Sequence, residues 1–132
     1  MQQNKITPVE RLMRRVRRNK VTLFIGSGFS LKAGAPSVTE LMSKLIEEGE
    51  LKYDVELKDL SLRNVASDFV AKEGRHELIR CLVKLFSFIP TDTSDHELLA
   101  SIPHFKTIFT TNYDSLIENA YPKGHCAVIT SS

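Results

Sequence analysis

The sequence predicts an α/β fold, in which helices flank a parallel sheet. Two short apolar runs, 21–25 and 106–110, are rich in β-branched and aromatic residues, and a small-residue or polar loop follows each. The segments between and after them carry apolar residues at helical spacing. Short continuous apolar strands that alternate with amphipathic helices are typical of parallel sheets.

The bulk composition fits a single globular domain. The chain has 132 residues, 42% of them hydrophobic, which is enough for a modest core. A net charge of +2 does not by itself favour a polyanion-binding protein. The two cysteines, Cys81 and Cys126, lie far apart and lack metal-ligand spacing, so we expect neither a metal site nor a disulfide framework.

No targeting or membrane-spanning pattern is visible. The first twelve residues contain no apolar run, and no stretch of about 18 apolar residues occurs in the chain. The sequence therefore predicts a cytoplasmic protein with no membrane partner.

A basic amphipathic helix is predicted over residues 7–19. Val9, Leu12, Met13 and Val16 recur at helical spacing. The remaining positions are strongly basic: Arg11, Arg14, Arg15, Arg17, Arg18 and Lys20. We interpret this face as solvated, with positive charge placed favourably near the helix C-terminus. A nucleic-acid or acidic-partner contact is the alternative, although basic charge without interleaved aromatic residues is a weak nucleic-acid footprint.

The next segment predicts a strand, a glycine loop and a helix. Residues 21–25 form an apolar run that suits a strand buried on both faces, and the loop spans 26–36. Ser37 then precedes a helical stripe with Glu40 three residues further on, which predicts a capping box. Gly49 fits the C-terminal end of this helix.

The remaining elements are predicted from apolar spacing and breakers. Residues 50–60 suit a loop or short helix, and Asp95 is a candidate N-cap for a short helix ending at Ala100. Further helices are expected around 62–70, 78–86 and 116–120, and strands at 106–110 and 126–129.

The glycine loop is a candidate phosphate- or ribose-binding segment. Gly26 and Gly28 allow a sharp turn and a close approach of a ligand, because neither carries a Cβ. Backbone N–H groups of such a loop can point at phosphate oxygens, and Ser27 and Ser30 add hydroxyl donors. The spacing matches neither G-x-G-x-x-G nor G-x-x-x-x-G-K-[ST]. A tight turn without a ligand is therefore the alternative.

A second polar loop, Thr110-Thr111-Asn112-Tyr113-Asp114, follows the second predicted strand. Asn112 could orient a ribose or a water, and Asp114 could accept from an amide; alternatively, one of the two caps the following helix. Since ligands lie beyond the carboxyl ends of parallel strands, we expect both loops to line one cleft, with Ser30 facing Asn112.

The two loops together resemble the sirtuin signature. The segment G26-S-G28-F-S30-x-x-x-G34-A-P36 is similar to the sirtuin opening G-A-G-x-S-x-x-x-G-[IP]-P, and T110-T-N112-Y-D114 is similar to T-Q-N-[IV]-D. The segment FTTNYDSLIENAY resembles more closely the sirtuin-like domains of bacterial anti-phage defence proteins. The resemblance covers roughly residues 20–121.

The resemblance implies a Rossmann-like domain that binds NAD and cleaves its nicotinamide–ribose bond. Carried over by position, the phosphates and ribose would be lined by Gly26, Ser27, Gly28 and Ser30, with Thr110 and Thr111 beside them. Pro36 would shape the nicotinamide end. Asn112 would position the ribose or the attacking water, and Asp114 would hold the carboxamide.

Some expected family features have no counterpart in this sequence. The family's catalytic histidine stands in a later motif, whereas His125 and His96 suit a loop and a structural role. We therefore expect residues 1–132 to be the N-terminal portion of the domain, with the histidine beyond residue 132. The sirtuin four-cysteine zinc module has no match, which favours transfer to water over lysine deacylation.

Two other functions stay open at this point. The chain could be a non-catalytic NAD or ADP-ribose sensor, or an assembly module. Because two or three strands make a thin sheet with exposed apolar surface, we also expect a homo-oligomer or a partner domain that completes the fold.

Overall fold

The computed structural model describes residues 6–130. Its helices are α1 (Pro8–Arg17), α2 (Val38–Glu48), α3 (Leu62–Glu73), α4 (Arg75–Phe86), α5 (Ser94–Ala100) and α6 (Leu116–Ala120). Its strands are β1 (Leu23–Ile25), β2 (Thr107–Thr110) and β3 (Ala127–Thr130). Two 3-10 turns cover Ser27–Ser30 and Leu57–Asp59. The first five residues, on which part of the targeting prediction depends, and the last two lie outside the described residues.

The chain divides into two compact units. The sheet unit comprises the chain up to Phe29 and from Thr93 onward, and the helical unit comprises Ser30–Asp92. Among the helices described between residues 6 and 130, none has the length and apolar character needed to cross a bilayer.

The sheet unit contains three parallel strands in the order β1-β2-β3, which confirms the predicted α/β class. Leu23 pairs with Ile108, and Ile108 with Val128, so equivalent positions line up across the sheet. Connections between parallel strands require crossovers, and α6 lies in the short crossover from β2 to β3.

One face of this sheet is covered. Ile25 and Ile108 point to the same face and form a buried cluster with Ile117 of α6. Partly buried side chains from α5 and from the segment before β3 pack around it: Leu99, Tyr121 and Cys126. The Tyr121 hydroxyl donates to the Leu99 carbonyl at 3.3 Å.

The opposite face, called the open face below, presents three aligned apolar side chains. Phe24, Phe109 and Ile129 share one register across the strands, and they are 75%, 38% and 44% exposed. The prediction that β1 is buried on both faces is therefore wrong for the described residues. An apolar run predicts that a strand seeks burial, but it does not supply the element that covers it.

The helical unit has its own core. Five buried side chains from α2 and α3 form it, with α4 packed alongside: Leu41, Met42, Leu45, Val65 and Phe69. The predicted capping box is confirmed, because Ser37 Oγ accepts from the Glu40 N–H at 3.2 Å and the Ser37 N–H donates to the Glu40 carboxylate at 2.7 Å. Gly49 follows α2 as predicted.

Two further predictions can be compared with the structure. Asp95 is not the N-cap of α5, since that helix begins at Ser94 and Thr93 precedes it. The Thr93 hydroxyl instead donates to the Glu97 carboxylate at 2.8 Å. This side-chain hydrogen bond, to a residue one helical turn further on, stabilises the start of the helix. The predicted short helix within 50–60 is present as the 3-10 turn at Leu57–Asp59.

Candidate functional site

The carboxyl edge of the sheet brings the two candidate loops together. Ile25, Thr110 and Thr130 are paired at the ends of their strands, so the segments that follow β1 and β2 leave the sheet at one edge. The Thr111 N–H donates to the Ile25 carbonyl at 3.3 Å and extends the ladder into the second loop. Ligands of parallel α/β sheets bind beyond this edge.

The first loop turns without any unusual backbone conformation. The Phe29 N–H donates to the Gly26 carbonyl at 3.1 Å and closes the 3-10 turn. Neither Gly26 nor Gly28 has a φ in the left-handed range, and a Cβ built on either would meet nothing within 4 Å. The predicted turn therefore does not itself require glycine. Gly26, Ser27 and Gly28 are all exposed, so their backbone is open to close approach from outside.

An aromatic pair of a half-buried and a buried ring holds this loop against the sheet unit. The ring of Phe29, the residue after Gly28, meets the ring of His96 edge-on, with centroids 4.7 Å apart. His96 is buried, which supports the structural role predicted for it over a catalytic one. Edge-to-face aromatic contacts contribute about 0.5–1.5 kcal/mol beyond the area they bury.

The second loop begins with an internal hydrogen bond. Thr110 is buried, and its Oγ1 accepts from the Asn112 N–H at 3.0 Å. Asn112 is buried as well, whereas Thr111 between them is exposed. Thr110 thus positions the Asn112 backbone. Its hydroxyl oxygen, which was predicted to line the ligand, is engaged in this hydrogen bond within the loop.

Asp114 fixes the start of α6. Its Oδ1 accepts from the Leu116 N–H at 3.1 Å, and the side chain is half-buried. The N-cap of α6 is Ser115, so neither Asn112 nor Asp114 is the N-cap that was predicted, and Asp114 contacts the helix start from the preceding position. The contact sets the orientation of the carboxylate at the carboxyl edge.

Sequence reasoning assigned no role to two residues at this edge. Tyr113 lies between Asn112 and Asp114 and is 72% exposed, so its ring is presented where a planar ligand group could stack. Thr130 is exposed and ends β3 beside Thr110. Tyr113 could have been noted from the sequence as an aromatic residue within a polar loop that follows a strand. Thr130 could have been noted as a polar residue directly after the predicted third strand.

Ser30 and Pro36 belong to the helical unit. Ser30 is buried, and its carbonyl accepts from the Ala33 and Ala35 N–H groups, each at 3.1 Å. Pro36 is half-buried and lies two residues after Gly34, whose φ is +98°. That Ser30 faces Asn112 stays a prediction, as do the ligand roles of Ser30 and Pro36.

The described residues offer no evident metal site. Between residues 6 and 130, no group of three or more histidine, cysteine, aspartate or glutamate side chains is arranged to hold a metal ion. Burial raises the pKa of both thiols, Cys81 and Cys126, which makes them weaker nucleophiles at neutral pH.

Comparison with known proteins links this chain to NAD hydrolases. No protein-family model matches it. It is 33% identical over 113 residues to the NAD(+) hydrolase ThsA of Acinetobacter baumannii (strain 532279), across 85% of this chain and 23% of that protein. It is 30% identical over 112 residues to the NAD(+) hydrolase ThsA of Cytobacillus dafuensis, across 85% of this chain and 22% of that protein.

The matches confirm the predicted resemblance to NAD-hydrolysing proteins. They extend over most of this chain, yet the chain spans less than a quarter of the length of these relatives. The similarity therefore describes one segment of a larger protein in each relative.

Proposed function

We propose that the two carboxyl-edge loops form part of an NAD-binding site, and that the protein hydrolyses the nicotinamide–ribose bond. The observation that carries this proposal is the hydrogen bond from Thr111 to Ile25, which joins a loop with exposed glycines to a loop of ordered polar side chains. The relatives' names, NAD(+) hydrolase, support the choice of ligand.

The glycine loop is suited to the diphosphate and ribose. Exposed backbone at Gly26–Gly28 lets oxygen atoms of a ligand approach the peptide N–H groups without meeting a side chain. The Ser27 hydroxyl adds a donor at the same place. Because no glycine-specific conformation is needed there, close contact with a ligand best explains two glycines in three positions.

The second loop is suited to the reacting end. When the bond between ribose C1′ and the nicotinamide nitrogen breaks, positive charge develops on the ribose, and a water oxygen bonds to C1′ and loses a proton. Such a reaction depends mainly on positioned dipoles and a placed water. The Asn112 amide would orient the ribose or that water. The Asp114 carboxylate, held by Leu116, would accept from the nicotinamide carboxamide.

The finer assignments rest on the sequence resemblance. We extend the proposal to a sirtuin-like mode of cleavage, to a role in bacterial anti-phage defence and to a cytoplasmic location. Further parts of the protein, or further copies of it, would complete the site, because two loops surround only part of a dinucleotide.

Replacement of Asn112 tests the proposal. Asn112→Ala removes the amide but keeps the backbone N–H that donates to Thr110. We expect nicotinamide release to fall about 100-fold or more, as when one positioned transition-state donor is lost, while the variant keeps its fold. Asn119→Ala is the matched control, since Asn119 is exposed and its side chain donates to Ser115, directly before α6.

The measurements are nicotinamide release and calorimetric titration with NAD and ADP-ribose, both on the full-length protein. Normal cleavage by Asn112→Ala would show that the second loop is wrongly assigned. If the unaltered protein binds both nucleotides but releases no nicotinamide, the protein is a sensor and the hydrolase proposal is wrong.

A further inference from the structure

Helix α1 exposes two opposed faces. Val9, Leu12 and Met13 occupy one arc of the helix and are 68%, 53% and 47% exposed. Ile6, two residues before the helix, is exposed too. The arginines occupy the opposite arc, and no residue of α1 is buried. Both faces of this helix are thus available within the part of the chain that the structure describes.

Local interactions stabilise α1 without help from packing. Thr7 Oγ1 accepts from the Glu10 N–H at 3.2 Å, and the Thr7 N–H donates to the Glu10 carboxylate at 2.8 Å. The Thr7 N–H and then the Thr7 hydroxyl, which donates to the same carboxylate at 3.1 Å, hold the pKa of Glu10 below its usual range. Pro8 suits the first turn, and arginines in the last turn complement the helix dipole.

Positive charge is concentrated in this helix and the residues that follow it. Six of the 18 basic residues fall between residues 11 and 20, and no acidic residue does. The remaining twelve basic residues are outnumbered by 16 acidic ones. Residues 11–20 are therefore a cationic segment on a chain that is otherwise net negative.

The apolar arc and the arginine arc of α1 together indicate which kind of partner the helix binds. A nucleic acid would engage the arginines and leave the apolar arc in water, and α1 has no aromatic residue to stack on a base. Two copies that met through their apolar arcs would leave the arginines of the opposite arcs without an anionic partner. At an anionic bilayer surface, the apolar arc enters the headgroup boundary while the arginines stay among the phosphates.

We propose that α1 is an interfacial helix that binds the protein peripherally to a bilayer containing anionic phospholipids. The inference goes beyond the proposed NAD chemistry and does not depend on it. It revises the expectation of no membrane partner, which rested on the lack of a spanning segment, because a helix that lies on the surface needs no such segment.

Vesicle flotation of the purified protein tests this. We expect it to float with vesicles of phosphatidylcholine mixed with phosphatidylglycerol and not with phosphatidylcholine alone, and added salt weakens the binding. Each cation near an anionic surface contributes roughly fivefold in partitioning, so Arg14→Gln combined with Arg15→Gln lowers it roughly 30-fold. Leu12→Gln combined with Met13→Gln also lowers it, although all charges remain.

Lys52→Gln combined with Arg63→Gln is the matched control. It removes the same charge from exposed positions of the helical unit, and partitioning is expected to stay within about twofold of the unaltered protein. Circular dichroism of each variant checks that its helix content is unchanged.

Three results would overturn the proposal. Equal loss in the control pair would mean that overall charge, not α1, drives binding. Salt-sensitive binding to duplex DNA that needs Arg14 and Arg15 but not Leu12 and Met13, without vesicle binding, would assign α1 to nucleic acid. Dissociation of oligomers by the Leu12 and Met13 changes in sedimentation, again without vesicle binding, would assign the apolar arc to an interface between copies.

Discussion

Gly26 and Gly28 of the sheet unit differ in their role from Gly49 and Gly74 of the helical unit. In the helical unit, a Cβ on Gly49 would lie 2.8 Å from Cδ2 of Phe69, and Gly74 links α3 to α4 with a φ of +91°. Packing or backbone conformation requires glycine at both positions. In the sheet unit, Gly26 and Gly28 have ordinary φ values and open space around them. Since the fold does not require glycine at these two positions, we attribute both glycines to the proposed contact with a ligand.

Gly49→Ala gives the largest expected loss of stability. The new methyl group would press on a buried ring and on the Leu45 carbonyl 3.0 Å away, which costs about 1–3 kcal/mol in free energy of unfolding. Urea denaturation measures this loss. Combining Gly49→Ala with Phe69→Leu should recover part of it, and purely additive losses would count against the steric explanation.

Gly28→Ala tests a glycine that the fold does not require. With nothing within 4 Å of the added Cβ, the free energy of unfolding is expected to change by less than about 0.5 kcal/mol. Affinity for NAD is expected to fall about tenfold, which equals about 1.4 kcal/mol. Calorimetric titration measures it, with Gly49→Ala as the reciprocal control that keeps its affinity. Unchanged NAD affinity in Gly28→Ala would remove the main support for the glycine loop as a ligand contact.

Tyr53→Phe is expected to have the smallest effect, confined to stability. Burial, followed by the 2.7 Å hydrogen bond that the hydroxyl donates to Asp68, raises the pKa of Tyr53 to about 12. The hydrogen bond contributes about 1 kcal/mol.

The pH dependence of that contribution has a definite sign. The folded pKa lies above the unfolded value of 10.0, so the contribution is complete below pH 10 and is lost as the pH rises toward 12. Melting temperatures of Tyr53→Phe and the unaltered protein should therefore converge over this range. A constant gap between them, or a change in nicotinamide release at neutral pH, would contradict this assignment.

Local patterns predicted most of the elements because local physics forms them. The Ser37–Glu40 capping box and the contact of Asp114 with the start of α6 depend on residues a few positions apart, and each strand was predicted from its own apolar run. The open face was missed because an apolar strand such as Phe24–Ile25 indicates a need for burial, and burial depends on elements distant in sequence. That both loops lie at one edge of the sheet was predicted from the topology of parallel sheets, but the Thr111–Ile25 hydrogen bond that joins them could not be predicted from residue spacing.

The pairing of β1 with β2 spans the entire helical unit in sequence, since Leu23 is matched with Ile108. Closing an unfolded loop of that length carries a conformational-entropy cost that grows with the logarithm of the number of flexible residues. A helical unit that has already condensed around Leu45 and Phe69 shortens the flexible tether, and so lowers the cost of bringing the two strands together. The stability of the inserted helices thereby affects, through chain connectivity alone, the strand ends from which the two carboxyl-edge loops emerge.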